Sequence, residues 1–187
     1  MRQTGQKSTV TGALLSAMLA LSGCATNSSA VEHYKPDEQR RQQVFAASDK
    51  LIVPGRRIGP ISLGMGMDEV VGKLGKPDLN IAGGQYPGGA HYGPEFRYWS
   101  LNLAIVFDAS AAPAVVSVQN VKWRDAALLA VFKTADGVGI GSTSFEVKRV
   151  FGTPSQDASE VMWYRSRGVF FEFTGYDVRK VTVSAPQ

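Results

Sequence analysis

The sequence predicts an α+β domain over residues 51–187, built from two copies of one unit, and three observations support this. First, residues 51–77 match residues 128–154 without gaps, at a constant offset of 77 positions. Second, each matched stretch contains a short amphipathic segment that is typical of a helix. Third, apolar and polar residues alternate later in each unit, which is typical of antiparallel strands. Strands segregated from helices in this way define the α+β class.

The internal match pairs residues that have structural roles. A glycine, a Glu-Val pair and a Gly-x-Pro sequence recur at corresponding places, which is difficult to obtain by chance. We therefore predict a tandem duplication, with a first repeat at 51–127 and a second at 128–187. The matched pairs are Leu51 and Leu128, Gly64 and Gly141, Glu69 and Glu146, Val70 and Val147, Gly75 and Gly152, and Pro77 and Pro154.

Each unit is expected to begin with an extended segment, such as 58–64, and to continue into a short helix. Thr143 and Glu146 have the spacing of a capping box, whereas glycine is a tolerated cap at the corresponding position of the first unit. Gly75 and Gly152 are predicted to end the helices in the left-handed conformation, and a proline two positions later prevents continuation. The expected apolar stripes are Met67, Val70, Val71 and Leu74 in one helix and Val147, Val150 and Phe151 in the other.

The remainder of each unit is predicted to be antiparallel strands, two or three per unit. The offset between the units falls here from 77 to 66, so the first unit holds about 11 additional residues, located in the glycine-rich stretch 80–96. The expected strands contain Leu101, Leu103, Ile105 and Phe107, then 115–123, then Val169, Phe171 and Phe173, and finally 178–183, with turns at 108–113, 165–168 and 174–177.

The start of the chain predicts a lipoprotein signal at 1–23. Arg2 and Lys7 precede an apolar run that is shorter than the roughly 20 residues of a membrane-spanning helix. Leu21-Ser22-Gly23-Cys24 then resembles the bacterial lipobox, which implies cleavage between Gly23 and Cys24 and lipidation of the Cys24 thiol. The alternative is a plain secretory signal with an incidental cysteine. Because Cys24 is the single cysteine and has no disulfide partner, we favour lipidation.

The residues after the anchor indicate where the protein is held. Ala25 replaces the aspartate that commonly retains Gram-negative lipoproteins at the inner membrane, which implies the periplasmic face of the outer membrane. In a Gram-positive cell, the same lipid would lie in the plasma membrane. Residues 24–50 are polar and suit a flexible tether, although 37–47 could form a short helix.

Composition and motifs indicate no catalytic, metal or cofactor site. Cleavage after Gly23 removes two basic residues and no acid, leaving 18 basic and 16 acidic residues, so we expect no nucleic-acid partner. A Ser-His-Asp site would have to use His91, and the glycines of 136–142 lack the lysine of a phosphate-binding loop. The acids available for sugar chemistry, which we assign mainly to helix caps, are Asp68, Glu69, Asp136 and Glu146.

The glycine-rich stretch 80–96 is the one feature without a structural role in the repeat. It is either a long hairpin loop or a recognition loop, because aromatic side chains on an adaptable backbone suit binding. We therefore name Tyr86, His91 and Tyr92 as candidate partner-binding residues.

The helical part of the first unit resembles the signature of the small protein A/outer-membrane lipoprotein A family, which includes the small lipoprotein of the β-barrel assembly machine. The resemblance implies two short helices or turns against a three-stranded antiparallel sheet. Secreted β-lactamase inhibitor proteins share this fold and carry two tandem copies, so the expected fold is β-lactamase-inhibitor-like. The second unit departs from the signature, with Ser142 in the place of its methionine. The residues that occupy the signature are Leu63, Gly64, Met65, Glu69, Val70, Gly75 and Pro77.

These observations predict a non-enzymatic lipoprotein. It would be held to the membrane by the lipid on Cys24 and would bind a protein partner during envelope assembly or maintenance. The alternative is an inhibitor of a periplasmic or secreted hydrolase, either a protease or a β-lactamase. A third hypothesis, an enzyme or a small-ligand binder, requires a pocket with convergent polar groups.

Overall fold

The computed structural model of the protein describes residues 50–123, 132–158 and 160–187. The predicted signal at 1–23, the lipidation site Cys24 and the tether up to residue 49 lie outside the described residues. The predicted junction between the two repeats, within 124–131, also lies outside them. In the described part of the chain, no helix has the length and apolar character needed to cross a membrane.

The described residues form three antiparallel sheets and two α-helices. In chain order the elements are β1 (Ile52–Val53), β2 (Arg57–Ile58), β3 (Ile61–Ser62), α1 (Met67–Leu74), β4 (Leu79–Ile81), β5 (Gly84–Gln85), β6 (His91–Tyr92), β7 (Glu95–Tyr98), β8 (Leu103–Phe107), β9 (Val115–Val121), α2 (Ser144–Phe151), β10 (Gln156–Ala158), β11 (Val161–Tyr164), β12 (Val169–Thr174) and β13 (Asp177–Ser184).

One eight-stranded sheet is the centre of the fold. Its strand order is β10-β11-β12-β13-β9-β8-β7-β4, and every neighbouring pair is antiparallel. Strands β1 to β3 form a small separate sheet, and β5 pairs only with β6. The predicted α+β class is confirmed.

Both helices pack against the same face of this sheet. The apolar stripe of α1 buries Val70 and Leu74, and that of α2 buries Val147 and Phe151. Two tyrosines of the sheet bind the ends of the helices: the Tyr98 hydroxyl donates to the carbonyl of Gly75, and the Tyr164 hydroxyl donates to that of Gly152, each at 3.1 Å. The sheet residues that complete this core are Phe96, Leu103, Ile105, Phe107, Val115, Val118, Met162, Val169, Phe171, Phe173, Val178, Val181 and Val183.

The predicted capping box of α2 is present. The backbone amide of Thr143 donates to a carboxylate oxygen of Glu146 at 2.8 Å, and the Thr143 hydroxyl accepts from the Glu146 amide at 3.2 Å. At α1, Gly66 has no side chain, so only the reciprocal bond to Glu69 remains, at 3.0 Å. The amides of both first turns are thereby partly satisfied.

The helix-ending glycines differ from expectation in one detail. Gly75 and Gly152 have φ of 75° and 79°, but their ψ values of −170° and −149° lie outside the left-handed helical region. The chain therefore leaves each helix extended rather than curled into another turn. This region is open essentially to glycine alone, so the residue type was predicted for the right position but the wrong conformation.

Strand boundaries and number also differ from expectation. Leu101 lies in a 3-10 turn (Trp99–Leu101) before β8 begins, and β9 ends at Val121 rather than at position 123. Each predicted unit contributes four strands to the large sheet rather than two or three. Strand β11 was missed because both of its faces carry large side chains, which hides the alternation that marks a strand.

Replacing Thr143 with alanine is expected to lower the free energy of unfolding by about 0.5–2 kcal/mol. The variant loses the hydroxyl that accepts from the Glu146 amide, while the helix face that packs on the sheet is unchanged. Urea unfolding of the unlipidated Cys24→Ser chain measures the effect. Gly66→Ser, which adds a cap to α1, is the control and should stabilise the protein by a few tenths of a kcal/mol. Equal stability of Thr143→Ala and the parent chain would contradict the assignment.

The same capping box makes stability depend on pH. Hydrogen bonds from the Thr143 amide and hydroxyl hold the pKa of Glu146 below its ordinary value. A carboxyl whose pKa is lowered by folding stabilises the native state above its unfolded pKa, about 4.3 for glutamate, and loses that contribution as the pH falls through the folded pKa. Thr143→Ala should therefore reduce the acid-induced loss of stability, measured as unfolding free energy against pH below that value.

Candidate functional site

The candidate residues of the glycine-rich stretch lie together on a small hairpin formed by β5 and β6. The rings of Tyr86 and Tyr92 are in contact, with centroids 4.6 Å apart. Tyr86 is 57% exposed and Tyr92 is 37% exposed, and every residue from 85 to 92 is exposed. The structure therefore brings Tyr86, His91 and Tyr92 to one solvent-facing element that is separate from the main sheet.

The glycines of this hairpin permit a close approach of ring and backbone. The Tyr92 ring lies directly over Gly84, where a Cβ would be 2.7 Å from the Tyr92 hydroxyl. The Tyr86 amide donates to the carbonyl of Ala90 at 2.8 Å and closes the turn. The tyrosine pair is thus presented by a hydrogen-bonded turn, which reduces the conformational entropy that a bound partner would have to remove.

A second candidate surface is the face of the eight-stranded sheet opposite the helices, here called the open face. Residues that alternate with the buried core residues of each strand point to it, and neither α1, α2 nor β1 to β3 packs on it. Strand register places one row straight across it. From edge to edge the row is Leu79, Arg97, Ala104, Gln119, Thr182, Phe170, Trp163 and Gln156.

One side of the open face carries an arginine between two tryptophans. The guanidinium of Arg97 lies 5.8 Å from the ring centroid of Trp99 and 5.5 Å from that of Trp123. The two indoles meet edge to face, with centroids 4.7 Å apart, and Trp99 is 37% exposed. Cation–π contacts of this kind hold a large planar surface in place.

The other side of the open face carries a similar cluster. The guanidinium of Arg165 lies 4.5 Å from the ring centroid of Trp163, and that ring meets Phe170 edge to face at 4.9 Å. Arg97 and Trp163 are separated by 66 positions, which is the offset between the strands of the two predicted units. Each side of the open face therefore presents tryptophan and arginine to solvent.

Charged side chains near the centre are largely paired with one another. Glu172 accepts from both Lys180 and Arg179, the latter at 3.4 Å, and Arg97 pairs with Glu95. Arg179 is the extra residue of a bulge in β13, so it lies beside Lys180 over the same partner strand. With Arg165 included, the open face carries an excess of positive charge.

Three of the four acids considered for sugar chemistry lie at helix starts. Glu146 is engaged in the capping box, while Asp68 and Glu69 lie in the first turn of α1. The glycine-rich stretch 136–142 forms a turn whose amides bond to other backbone groups of the protein. The amide of Gly141, for example, donates to the carbonyl of Val178 in β13. Among residues 50–123, 132–158 and 160–187, no three His, Cys, Asp or Glu side chains lie close enough together to hold a metal ion.

A groove of about 580 Å³ lies where β9 and β12 end and β13 begins. Lys122, Thr174 and Arg179 line it, and Asp177 opposes their charge. The buried Nε1 of Trp123, which also lines the groove, has no hydrogen-bond partner among the described residues. The sequence did not indicate this groove, which is a place where a small ligand could lie.

The two tryptophan–arginine clusters were also missed, although the sequence contained a signal for them. Arg97 and Trp99, and likewise Trp163 and Arg165, are two positions apart, so in a strand they share a face. No protein-family model matches the chain, and neither a curated protein nor a solved structure is significantly similar to it. Function therefore has to be inferred from the hairpin and the open face.

Proposed function

We propose that this protein is a non-enzymatic envelope lipoprotein, anchored by lipid on Cys24, whose domain binds a protein partner through the open face. Its expected location is the periplasmic face of the outer membrane, or the plasma membrane in a Gram-positive cell. The lipobox at 21–24 supports the anchor. Outer-membrane assembly or maintenance is the setting that the family resemblance suggests.

The observation that best supports partner binding is the pair of tryptophan–arginine clusters on a sheet face that no other described helix or strand covers. Tryptophan and arginine are the residue types most enriched among those that dominate interface energies. Each tryptophan is next in the chain to a buried tyrosine, Trp163 to Tyr164 and Trp99 to Tyr98, so large aromatic side chains at these places can be accommodated in the core. The half-exposed position of the tryptophans is therefore better explained by a partner than by folding.

We also infer that the domain is a tandem duplication with a β-lactamase-inhibitor-like arrangement. The hydrogen bonds of Tyr98 to Gly75 and of Tyr164 to Gly152 have the same length and join corresponding elements. From either edge, the large sheet presents the corresponding strands of the two units in the same order, with β9 and β13 adjacent at the centre. In this interpretation, each unit supplies half of the large sheet and one of the two tryptophan–arginine clusters.

Replacing both Trp163 and Arg165 with alanine is expected to weaken partner binding at least about thirtyfold, which corresponds to roughly 2 kcal/mol or more. The variant removes one cluster while leaving the helix-packed face unchanged. Affinity for the purified partner, measured by calorimetry, checks the prediction. The comparison variant is Tyr86→Ala with Tyr92→Ala, and loss of binding in that variant instead would place the partner on the hairpin. If the open-face variant binds as well as the parent chain, the open face is not the binding surface.

The partner itself can be identified by cross-linking in cells, followed by affinity capture and mass spectrometry. The control is Cys24→Ser, which cannot be lipidated. Recovery of envelope-assembly components that disappear in the control supports the proposal. Capture of a single hydrolase that persists in the control supports the second candidate function instead.

That second candidate, inhibition of a periplasmic or secreted hydrolase, is favoured by the exposed hairpin. A narrow two-stranded element with the ring pair of Tyr86 and Tyr92 is suited to insertion into a cleft. The purified protein should then inhibit a protease or a β-lactamase at nanomolar to micromolar concentration, and the hairpin variant Tyr86→Ala with Tyr92→Ala should lose inhibition. Inhibition that survives in the hairpin variant would argue against insertion.

A further inference from the structure

Two large apolar side chains protrude at one corner of the domain. Phe145, in the first turn of α2, is 74% exposed, and Tyr176, in the β12–β13 turn, is 82% exposed. Their elements are joined directly, because the amide of Ser144 donates to the carbonyl of Tyr176 at 3.0 Å. Phe145 and Tyr176 are here called the aromatic corner.

The fold does not require aromatic residues at this corner. The start of α1 meets the β8–β9 turn in the same manner. Before α1, the amide of Gly64 donates to the carbonyl of Val115, and before α2, the amide of Gly141 donates to the carbonyl of Val178. At that other junction the corresponding positions hold Asp68 and Pro113, neither of which is aromatic. The aromatic corner therefore adds exposed apolar surface that the architecture can do without.

Two cationic side chains lie near the aromatic corner, together with two acids, Glu146 in the capping box and Asp177 in the groove. Arg149 follows Phe145 by one helical turn and is exposed, and Lys122 lies in the groove beside the β12–β13 turn. Neither has an ion-pair partner within 4 Å in the described part of the chain. Exposed aromatic rings beside unpaired cations match the interfacial region of an anionic bilayer, which accepts rings at headgroup level and attracts basic residues.

The place where the chain enters the domain is linked to this corner by a series of backbone hydrogen bonds. Lys50, the first described residue, accepts a backbone hydrogen bond from Lys133 at 3.1 Å, and Lys133 in turn bridges to Gly139. Two residues later, Gly141 donates to Val178, beside the β12–β13 turn. Strand spacings of about 5 Å and a rise of about 3.3 Å per residue then place Lys50 within about 30 Å of the aromatic corner.

We propose that the aromatic corner contacts the anionic bilayer surface that holds the lipid on Cys24. This inference rests on the lipid anchor of the proposed function. The 26 positions from Cys24 to Lys50, taken as the polar tether expected from the sequence, correspond to a root-mean-square length of about 30 Å, which would keep the corner near the membrane at high effective concentration. Contact through Phe145 and Tyr176 would turn a loosely tethered domain into one with a defined orientation.

Vesicle binding by the full mature chain with Cys24→Ser tests this contact without the contribution of the lipid. The parent chain is expected to sediment with vesicles of phosphatidylethanolamine and phosphatidylglycerol, and more weakly with vesicles of phosphatidylcholine alone. Phe145→Ala with Tyr176→Ser should reduce the partition coefficient by about tenfold or more, because apolar area provides much of interfacial binding. Both side chains are exposed, so circular dichroism and thermal unfolding should remain unchanged.

The matched control is Tyr86→Ala with Tyr92→Ala, which removes two exposed aromatic rings elsewhere and should leave vesicle binding intact. Equal binding of the corner variant and the parent chain would overturn the proposal, as would the absence of parent-chain binding to phosphatidylglycerol vesicles. Loss of a captured protein in the corner variant, without a change in vesicle binding, would identify the corner as a protein-docking site instead. Palmitate labelling of Cys24 tests the anchor separately, since it depends on neither aromatic ring of the corner.

Discussion

Replacing Phe171 with alanine is expected to lower the free energy of unfolding by about 3–5 kcal/mol. Phe171 is fully buried in β12, and its ring meets Phe151 of α2 edge to face at 5.1 Å and Tyr164 of β11 at 6.0 Å. Removing the ring leaves a cavity at the point where α2 packs on the sheet. Chemical unfolding of the Cys24→Ser chain measures the loss.

The neighbouring phenylalanine provides a control of the same chemistry. Phe170 lies on the opposite face of β12, half-buried against Trp163 at 4.9 Å. Phe170→Ala should cost only about 1 kcal/mol, because it loses one aromatic pair and creates no enclosed cavity. It should nevertheless weaken partner binding, since the ring supports Trp163 on the open face. Similar unfolding losses in the two variants would contradict the assignment of the two faces.

Replacing Gly93 with alanine is expected to destabilise the protein by about 3 kcal/mol or more. Gly93 lies at the base of the hairpin and packs against the end of β8. A Cβ there would lie 2.0 Å from the carbonyl oxygen of Phe107 and 2.3 Å from that of Asp108. Both obstacles are backbone atoms, one in β8 and one directly after it, so relief requires the hairpin or the strand to move. Thermal unfolding should show the loss, and any inhibition that depends on the hairpin should fall with it.

Gly72→Ala is the matched control, because the same substitution is made where space is available. Gly72 is exposed on α1, and an added Cβ would have no atom within 4 Å beyond its chain neighbours and the backbone of its own helix. Alanine favours the helix by about 0.8–1 kcal/mol relative to glycine, so this variant should be more stable than the parent chain. Destabilisation by Gly72→Ala would mean that glycine substitutions harm this domain for a reason other than steric overlap.

Much of the local structure could be predicted because it depends on residues a few positions apart. The capping box of Thr143 and Glu146 was identified from spacing alone, as were the apolar stripes that bury Val70, Leu74 and Phe151. The turns at 165–168 and 174–177 followed from their glycines, which have φ of 62° in both cases. Predictions failed where the local pattern was ambiguous. Val161–Tyr164 has large side chains on both faces, and Leu101 continues the apolar alternation of β8 while lying in a 3-10 turn.

The candidate site was predicted only in part. Tyr86, His91 and Tyr92 were named from composition, and the structure places all three on one exposed hairpin. The open face was not predicted, because a residue such as Phe170 can be assigned to the core or to the surface only when the packing of both faces is known. The aromatic corner was missed for a related reason, since its two residues are 31 positions apart and are brought together by a backbone hydrogen bond.

The sequence by itself determined the α+β class, the helices with their caps, and the lipobox on which the proposed anchor depends. Each of these is a short-range property, set by side-chain spacing, by glycine conformation or by a local motif. Only the tertiary structure decided that β9 and β13 pair, joining all eight strands into one sheet, and that both tryptophan–arginine clusters share its open face. The physical reason is that strand pairing and register depend on packing between residues about 60 positions apart, which no local pattern encodes.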